Sequence, residues 1–317
     1  MRQLMVLLIQ YTILFACILM LVALGGCFSE HSGVINLGLE GIMVMGAMGG
    51  ALMMRYLPAG TSGFMIVVLT ILAALLIGLL YASLLAVAAI HFKADQTLVG
   101  TAMNILGTAA ATVIVKSINT ISNPDDHSSI VQYIEEKKAF IVNIGGFEFN
   151  WLMLVAVLIL IASYVVLYKT KFGLRLMACG EHPQAADSVG INVYKMRWAG
   201  VLISGALGGL GGIMYITAGV SEWKFEYGVA GFGFLSLAVM IFGKWKPQNI
   251  ALAAVLFGFF RALSNVYFGF DFLVSLNIPS GVYNMLPYIV SLIVLAFTSK
   301  RSSAPKAEGI PYDKGAR

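Results

Sequence analysis

The sequence predicts an all-α protein, a polytopic membrane helical bundle of eight to ten transmembrane helices, some of them broken or re-entrant. Of its 317 residues, 59% are hydrophobic and only 11% are charged, whereas soluble chains carry about a quarter charged residues. Uncharged stretches such as 56–90 and 272–299 exceed the roughly 20 apolar residues that a spanning helix needs. Period-2 alternation is absent, which indicates helices and not barrel strands.

Apolar segments follow one another along most of the chain. Two of them, 33–54 and 228–243, are Gly-rich or short. Such segments favour broken or re-entrant helices, which are tolerated at membrane depth only where they line a cavity or pack inside protein. A transmembrane domain is predicted over 1–299 and a polar tail over 300–317. The membrane segments are predicted at about 5–28, 33–54, 62–90, 97–116, 151–168, 198–220, 228–243, 250–268 and 284–298.

The distribution of Lys and Arg orients the loops. The loop 169–197, the turn 244–246 and the tail 300–317 carry most of these residues, and Lys and Arg accumulate in cytoplasmic loops. The loop 117–150 is more acidic and is predicted to be the main external loop. Nine full spans put the N-terminus outside, whereas a re-entrant 33–54 puts it inside. The tail is short and polar, so it is expected to be disordered.

The net charge of +5 does not indicate a nucleic-acid partner, because the bias towards positive cytoplasmic loops explains it. Membrane lipid is the expected surrounding. The three cysteines and four histidines show no metal-ligand spacing, so neither a metal site nor a disulfide framework is predicted. The apolar segments also lack a His/Asp/Glu cluster or a Ser–base pair, so no catalytic residues are predicted and an intramembrane enzyme is not favoured.

A short helix is predicted within the loop 169–197. Pro183 fits a first helical turn, Ala185 and Ala186 propagate the helix, and Gly190 supplies the stop. Small residues let another protein approach closely, and charged edges are provided by Glu181 and Asp187. The alternative is an ordinary polar connection that contains one helical turn.

Five glycines fall within one apolar run, namely Gly205, Gly208, Gly209, Gly211 and Gly212. Gly205 and Gly209, like Gly208 and Gly212, form small-x-x-x-small pairs, which allow helix backbones to pack closely. A Gly-Lys-Ser/Thr ending is missing, so the run is not a phosphate-binding loop. Helix packing is favoured over direct ligand contact.

The stretch GEHPQAADSVGINVYKMRWAGVLISGALGGLGG at 180–212 resembles the permease subunits of ABC importers, in the branch that handles branched-chain amino acids, simple sugars and nucleosides. Its Q-A-A-x-x-x-G pattern is similar to the E-A-A-x-x-x-G element that docks into the ATPase subunit, although Gln replaces Glu and no Ile-x-Leu-Pro follows. The residues that the resemblance assigns to coupling are Gly180, Glu181, Pro183, Gln184, Ala185, Ala186, Asp187 and Gly190.

Further matches extend the resemblance over most of 30–300. SGVINLGLEG at 32–41 resembles the G-x-x-N-x-G-x-E-G signature near the second helix of the same branch, and LVGTAMNIL at 98–106 adds to it. The chain is most like the shorter permease of the nucleoside-type pair, whose members are two different chains.

Five residues are candidates for the substrate path. Asn36 and Glu40 share one face if their segment is helical, and a carboxylate at membrane depth points by default to function. The alternative is that Glu40 lies near the interface or bonds a neighbouring backbone. Asn104 either binds a ribose or base edge or hydrogen-bonds another helix. Phe232 and Phe234 either stack on a ring-shaped substrate or face lipid.

The resemblance implies a permease subunit of an ATP-binding cassette importer in a bacterial plasma membrane, which forms the path for nucleosides or simple sugars. The implied partners are a cytoplasmic ATPase, a second permease and an external substrate-binding protein or lipoprotein. No cofactor is expected, because the ATPase binds the ATP. The alternative is an ion-coupled secondary transporter, for which the ionisable candidates are Glu40 and, marginally, Arg261 and Asp271.

Overall fold

A computed structural model describes residues 2–131, 133–144, 147–218, 223–298 and 303–315. Parts of the predicted tail, with Lys300, Arg301 and Arg317, lie outside the described residues. The helices of the described part are α1 (Arg2–His31), α2 (Leu39–Tyr56), α3 (Gly63–Ala86), α4 (Gln96–Ser122), α5 (Ile134–Lys137), α6 (Trp151–Lys169), α7 (Lys171–Glu181), α8 (Pro183–Ser188), α9 (Val193–Ala218), α10 (Phe232–Phe242), α11 (Pro247–Val266), α12 (Asp271–Ser275) and α13 (Ser280–Thr298).

Sheet is confined in the described residues to one antiparallel hairpin, β1 (Ile141–Ile144) and β2 (Phe147–Asn150). The predicted all-α bundle is therefore confirmed. Among the described residues, seven stretches are long and apolar enough to cross a membrane, and each overlaps a predicted segment. They are Gln3–His31, Gly63–His91, Gln96–Ser122, Trp151–Lys169, Val193–Ala218, Phe225–Phe242 and Pro247–Gly269.

Loop contacts distinguish the two ends of the bundle. At one end, α7 and α8 adjoin the last turn of α1, where Gly180 packs against the backbone of His31. At the opposite end, Gln10 of α1 hydrogen-bonds Glu148 of β2. We call these the α8 end and the hairpin end.

The helix α2 crosses the bundle and does not turn back. It follows the turn 32–38, where the Gly33 carbonyl accepts a hydrogen bond from Gly309 at the α8 end. Its last turn carries Arg55, which donates to Asn119 near the hairpin end of α4. Because α1 runs from Gln10 at the hairpin end to His31 at the α8 end, its start lies at the hairpin end, opposite the tail. The turn 32–38 and α2 together continue from the α8 end back to the hairpin end. The re-entrant alternative for this segment is therefore wrong.

Two interruptions meet inside the bundle. The turn 32–38 penetrates far enough for Asn36 to donate to Ser204 Oγ at 2.8 Å, close to the midpoint of α9. Because of its start inside the bundle, α10 extends for only 11 residues. The backbone before it takes positive φ angles at Gly228, Ala230 and Gly231. These features confirm that the second and seventh predicted segments are interrupted.

The helix α9 lies at the centre of the bundle, with 78% of its most apolar window buried. Gly205 and Gly209 face α3, whose backbone leaves no room for a Cβ. Gly208 and Gly212 face α2, where a Cβ on Gly212 would collide with the Met43 carbonyl. Only residues without side chains allow helices to approach this closely.

The tail is folded onto the α8 end, contrary to the expectation of disorder. Within the described residues 303–315, Ala307 and Tyr312 are buried. The backbone of Ala307 donates to the Gly180 carbonyl at 2.8 Å. Composition alone suggested a solvated segment, but Ala307, Ile310 and Tyr312 supply enough apolar and backbone contacts to fix it. We call residues 303–315 the strap.

Candidate translocation path and coupling surface

The predicted short helix in the loop 169–197 is present as α8. Pro183 occupies its first position, where a missing N–H costs nothing. At its end, Gly190 takes φ +85° and donates to the Asp187 carbonyl, while Ile191 donates to the Ala186 carbonyl. These two bonds form a Schellman motif, which requires a left-handed residue at the Gly190 position. The sequence therefore fixes a rigid helix of about two turns.

The residues that resemble the coupling element divide between two faces. Glu181, Gln184, Ala185 and Gly190 are exposed at the α8 end, where another protein can reach them. Asp187 is less exposed and lies 3.8 Å from Lys314 of the strap.

The inner face of this region holds the helix in place. Pro183 and Ala186 are buried. Gly180 packs against α1, and its carbonyl accepts the hydrogen bond from the Ala307 N–H. Gly180 is buried and is therefore not exposed to a partner protein. Burial also raises the pKa of Cys179, in the last turn of α7, to about 11, so this thiol stays neutral.

Glu40 lies where the two interruptions meet. Its side chain is 8% exposed. One carboxylate oxygen accepts the backbone N–H groups of Val229 at 3.3 Å and Gly231 at 2.9 Å, and the other accepts that of Gly233 at 2.7 Å. A carboxylate is stabilised at the N-terminus of α10, because the helix dipole and the N–H groups that lack a partner within the helix both favour negative charge there. Glu40 therefore stabilises the break, as one of the two sequence interpretations anticipated.

The two amide candidates, Asn36 and Asn104, also hydrogen-bond backbone groups. Asn36 lies in the turn 32–38 and not on α2, so it does not share a helical face with Glu40; its Oδ1 accepts the Gly38 N–H at 3.1 Å. Asn104 on α4 accepts from the Gly41 N–H at 2.9 Å and donates to a backbone carbonyl of the turn. Both amides hold the start of α2.

The two phenylalanine candidates differ in exposure. Phe232 is 1% exposed and packs against Phe15 and Tyr215. Phe234 is 52% exposed and faces outward from the break. Of the five predicted path residues, Phe234 is therefore the one whose side chain is largely exposed.

Sequence reasoning named Arg261 only as a marginal ionisable candidate for an ion-coupled transporter. Its guanidinium carbon lies 5.4 Å from the centre of the Phe232 ring, and it hydrogen-bonds Tyr215. Tyr288 donates to the Ala230 carbonyl at 3.0 Å, which adds a second polar ring beside the break. The signal was present in the sequence, because an Arg within an apolar span usually faces a polar cavity or a partner. Arg261 and Tyr288 therefore place two polar side chains beside the break.

The described residues contain no group of three or more His, Cys, Asp or Glu side chains placed to hold a metal ion. The described polar groups of the break instead hydrogen-bond backbone and one another.

Comparison with known proteins agrees with this geometry. The family model described as "Branched-chain amino acid transport system / permease component" matches residues 8–298. The nucleoside ABC transporter permease protein NupC of Lactococcus lactis subsp. cremoris is 40% identical over 299 residues, which cover 93% of both chains. The guanosine ABC transporter permease protein NupQ of Bacillus subtilis is 39% identical and covers 99% of both chains.

A more distant relative is the putative glucose ABC transporter permease protein TsgC13 of Haloferax volcanii, which is 27% identical over 94% of this chain and 93% of its own. No solved structure matches. The relatives and the seven apolar helices confirm the predicted multi-pass protein of the bacterial plasma membrane. The chain belongs to the permease family of the branched-chain amino acid transport systems.

Proposed function

We propose that this chain is the permease subunit of an ATP-driven importer and that it forms one side of a translocation path for nucleosides. A separate cytoplasmic ATPase binds and hydrolyses the ATP, an external binding protein delivers the solute, and a second, different permease completes the path. The chain itself carries out no catalysis and needs no cofactor.

The observation that carries this proposal is α8. It is short, rigid and stopped by a Schellman motif, and Gln184 and Ala185 are exposed at the end of the bundle that is rich in Lys and Arg. ATP can drive a transport cycle only if its bound states favour one arrangement of the permease over another. A rigid helix that contacts the ATPase meets this requirement, because a flexible loop would absorb the displacement.

The path lies beside the break before α10. Phe234 and Tyr227 are 52% and 66% exposed, so the break opens towards one side of this chain and is not enclosed by it. A path open on one side needs a second wall, and the second permease supplies it. In this arrangement Glu40 holds the break open, and Arg261 with Tyr288 lines it.

Nucleosides are the solute class that the relatives and the chemistry favour together. The two relatives at about 40% identity are named for nucleosides and guanosine, and the relative named for glucose is 27% identical. A nucleoside has a flat base, for which exposed aromatic rings provide stacking. It carries no net charge, which suits a break whose carboxylate is already bonded to backbone.

The solute assignment is tested with the external binding protein. That protein is purified from cells, and the small molecule it carries is identified by mass spectrometry. Uptake of labelled guanosine is then measured in cells that express the whole transporter, in competition with unlabelled uridine, glucose and leucine. We expect a bound nucleoside and competition by uridine alone. A bound sugar or amino acid, or competition by glucose or leucine, would contradict the nucleoside assignment.

A further inference from the structure

The strap 303–315 contacts three separate elements of the α8 end. Ala307 donates its backbone N–H to Gly180 of α7, and Gly309 donates to Gly33 of the turn 32–38 at 3.3 Å. The carbonyl of Ile310 accepts a hydrogen bond from the Arg197 side chain of α9 at 2.9 Å. The strap therefore joins α7, α9 and the turn that leads into α2.

The end of the strap also packs against α8. Tyr312 is 4% exposed and forms a small buried cluster with Cys179 of α7, Ala186 of α8 and Val193 of α9. Its ring lies 5.3 Å from that of Tyr194. Within the described residues this cluster is separate from the main core. Tyr312 is its largest member, so much of the packing behind α8 depends on the strap.

Two ion pairs lie at the tip of the strap. Asp313 pairs with Lys93, between α3 and α4, at 2.9 Å, and this cation holds the pKa of Asp313 below its usual value. Lys314 lies 3.8 Å from Asp187 of α8. Both pairs are partly exposed and contribute little to stability. They fix the direction of the strap, while Tyr312 supplies the packing.

The helix α8 has few other attachments to the bundle. It is six residues long, and its buried residues are Pro183 and Ala186. A displacement of such a helix reaches the rest of the protein through its chain connections to α7 and α9 and through packed side chains and hydrogen bonds. The strap provides both, since Tyr312 packs against α8 while Gly309 and Ile310 bond to the turn 32–38 and to α9.

The turn 32–38 continues this set of contacts to the break. Gly33 and Ile35 contact Gly309 of the strap, and Asn36 bonds Ser204 near the midpoint of α9. Four residues further along the chain, Glu40 bonds the start of α10. The strap thus lies between the surface that meets the ATPase and the segment that governs the path.

We propose that the strap transmits the movement of α8 to the turn 32–38 and that Tyr312 is its positioning residue. The inference rests on the proposed function, because it assumes that an ATPase displaces α8. It adds a role for residues 303–315 beyond the exposed surface of α8. The ATPase docks on α8, and the strap converts that contact into movement at the break.

The test uses the complete transporter in proteoliposomes, with the ATPase, the second permease and the binding protein. Three quantities are measured: association of the ATPase, its hydrolysis rate, and solute taken up per ATP. For Tyr312→Ala we expect normal association and hydrolysis, with uptake per ATP reduced about fivefold or more. Tyr312→Phe keeps the packed ring and should restore most of the uptake. Tyr56→Ala, at an exposed tyrosine near the hairpin end, should match wild type.

A second variant tests the strap at a different point. Gly309 has φ +75°, and a Cβ there would lie 2.7 Å from Ile35 Cδ1. Gly309→Val should therefore detach the strap from the turn 32–38 and reduce uptake per ATP in the same way. If Tyr312→Ala does not fold, Gly309→Val still tests whether the strap is required for uptake per ATP.

The outcomes distinguish failure of the strap's role from failure of the proposed function. Wild-type uptake per ATP in both folded strap variants would overturn the role of the strap. Loss of ATPase association in either would also overturn it, because the strap would then be part of the docking surface. If the wild-type complex shows no ATP-dependent uptake at all, the proposed function itself fails.

Discussion

Polar side chains inside this bundle bind the backbone of its interrupted segments. The carboxylate of Glu40 accepts hydrogen bonds from backbone N–H groups at the start of α10. The Asn104 side chain accepts from the Gly41 N–H and donates to the Leu37 carbonyl, at and just before the start of α2. A buried N–H group without a partner costs about 1–3 kcal/mol, so irregular backbone persists at membrane depth only where such side chains exist. Each residue is therefore needed for the shape of the path, whether or not it touches solute.

Replacing Glu40 with Gln should destabilise the break. The amide group would face backbone N–H groups that the carboxylate now accepts, and at least one hydrogen bond would be lost. We expect the free energy of unfolding to fall by about 1–3 kcal/mol, with reduced uptake and unchanged ATPase association. Thermal unfolding in detergent and a pull-down of the ATPase measure these effects. Asp125→Asn, at an exposed carboxylate outside the α8 end, is the control, and equal stability of the two variants would refute the bracing role.

Glu308 should make attachment of the strap depend on pH. Burial raises the pKa of its carboxyl from 4.5 to about 7, and it shares a hydrogen bond with Glu30, which requires a proton on one of the two. A group with a raised pKa stabilises the folded state at low pH, and that contribution is lost as the pH rises through the folded value. Attachment should weaken between about pH 5 and about pH 8. Asp313 titrates below this window, since Lys93 lowers its pKa from 3.8.

Limited trypsin cleavage at Lys306 measures this release. The ratio of cleavage rates for wild type and Glu308→Gln, taken at each pH, cancels the pH dependence of trypsin and of histidines at the same end. Wild type should become relatively easier to cleave as the pH rises. A ratio that does not change with pH would show that Glu308 does not control the strap.

At the scale of helices, close contact among α2, α3 and α9 sets the architecture. The small-x-x-x-small pairs in α9 place the backbone of α9 directly against α2 and α3, and both Gly46 of α2 and Gly78 of α3 pack against Gly209. Lipid tails are as apolar as the side chains they would replace, so packing and not hydrophobic burial favours this association.

Replacing Gly212 with Leu should separate α9 from α2. A Cβ at Gly212 would collide with the Met43 carbonyl, and backbone cannot rotate away as a side chain does. We expect a loss of at least about 1–3 kcal/mol, seen as a lower unfolding temperature and poorer recovery from membranes. Gly281→Ala is the control, because a Cβ there meets open space. A Gly212→Leu protein as stable as this control would contradict the packing.

Replacing Gly190 with Val should affect coupling and leave membrane insertion intact. Its φ of +85° is strained for a β-branched residue by about 1–3 kcal/mol, so the end of α8 would refold. Gly60 provides a matched control, since it has φ +87° and open space around a Cβ at the hairpin end. Uptake per ATP should fall in Gly190→Val and stay normal in Gly60→Val. Equal uptake by the two would show that the end of α8 contacts nothing important.

The sequence predicted helices well because crossing a membrane demands long apolar stretches that composition reveals. It also predicted α8, since Pro183 and Gly190 act through local backbone geometry. It could not predict the strap, whose contacts join residues far apart in the chain, such as Gly33 and Gly309. For the same reason it left the role of Glu40 open. Whether a carboxylate meets solute or backbone depends on how α2 and α10 pack, which no local pattern encodes.

At the scale of the whole molecule, the proposed coupling surface and the proposed path occupy different places. The proposed surface is the exposed face of α8 at one end, and the proposed path lies beside the break inside the bundle. A protein with this layout needs an external source of energy at the α8 end. It does not need a titrating group in the path, where both oxygens of Glu40 are already bonded to backbone.

The most direct test measures guanosine uptake by proteoliposomes that contain this chain, the second permease and the external binding protein. Uptake is compared with and without the ATPase and ATP, and with and without a proton gradient. We predict uptake that requires both the ATPase and ATP and is unaffected by collapsing the gradient. Uptake that proceeds without the ATPase and follows the proton gradient would contradict an ATP-driven permease and would establish an ion-coupled transporter.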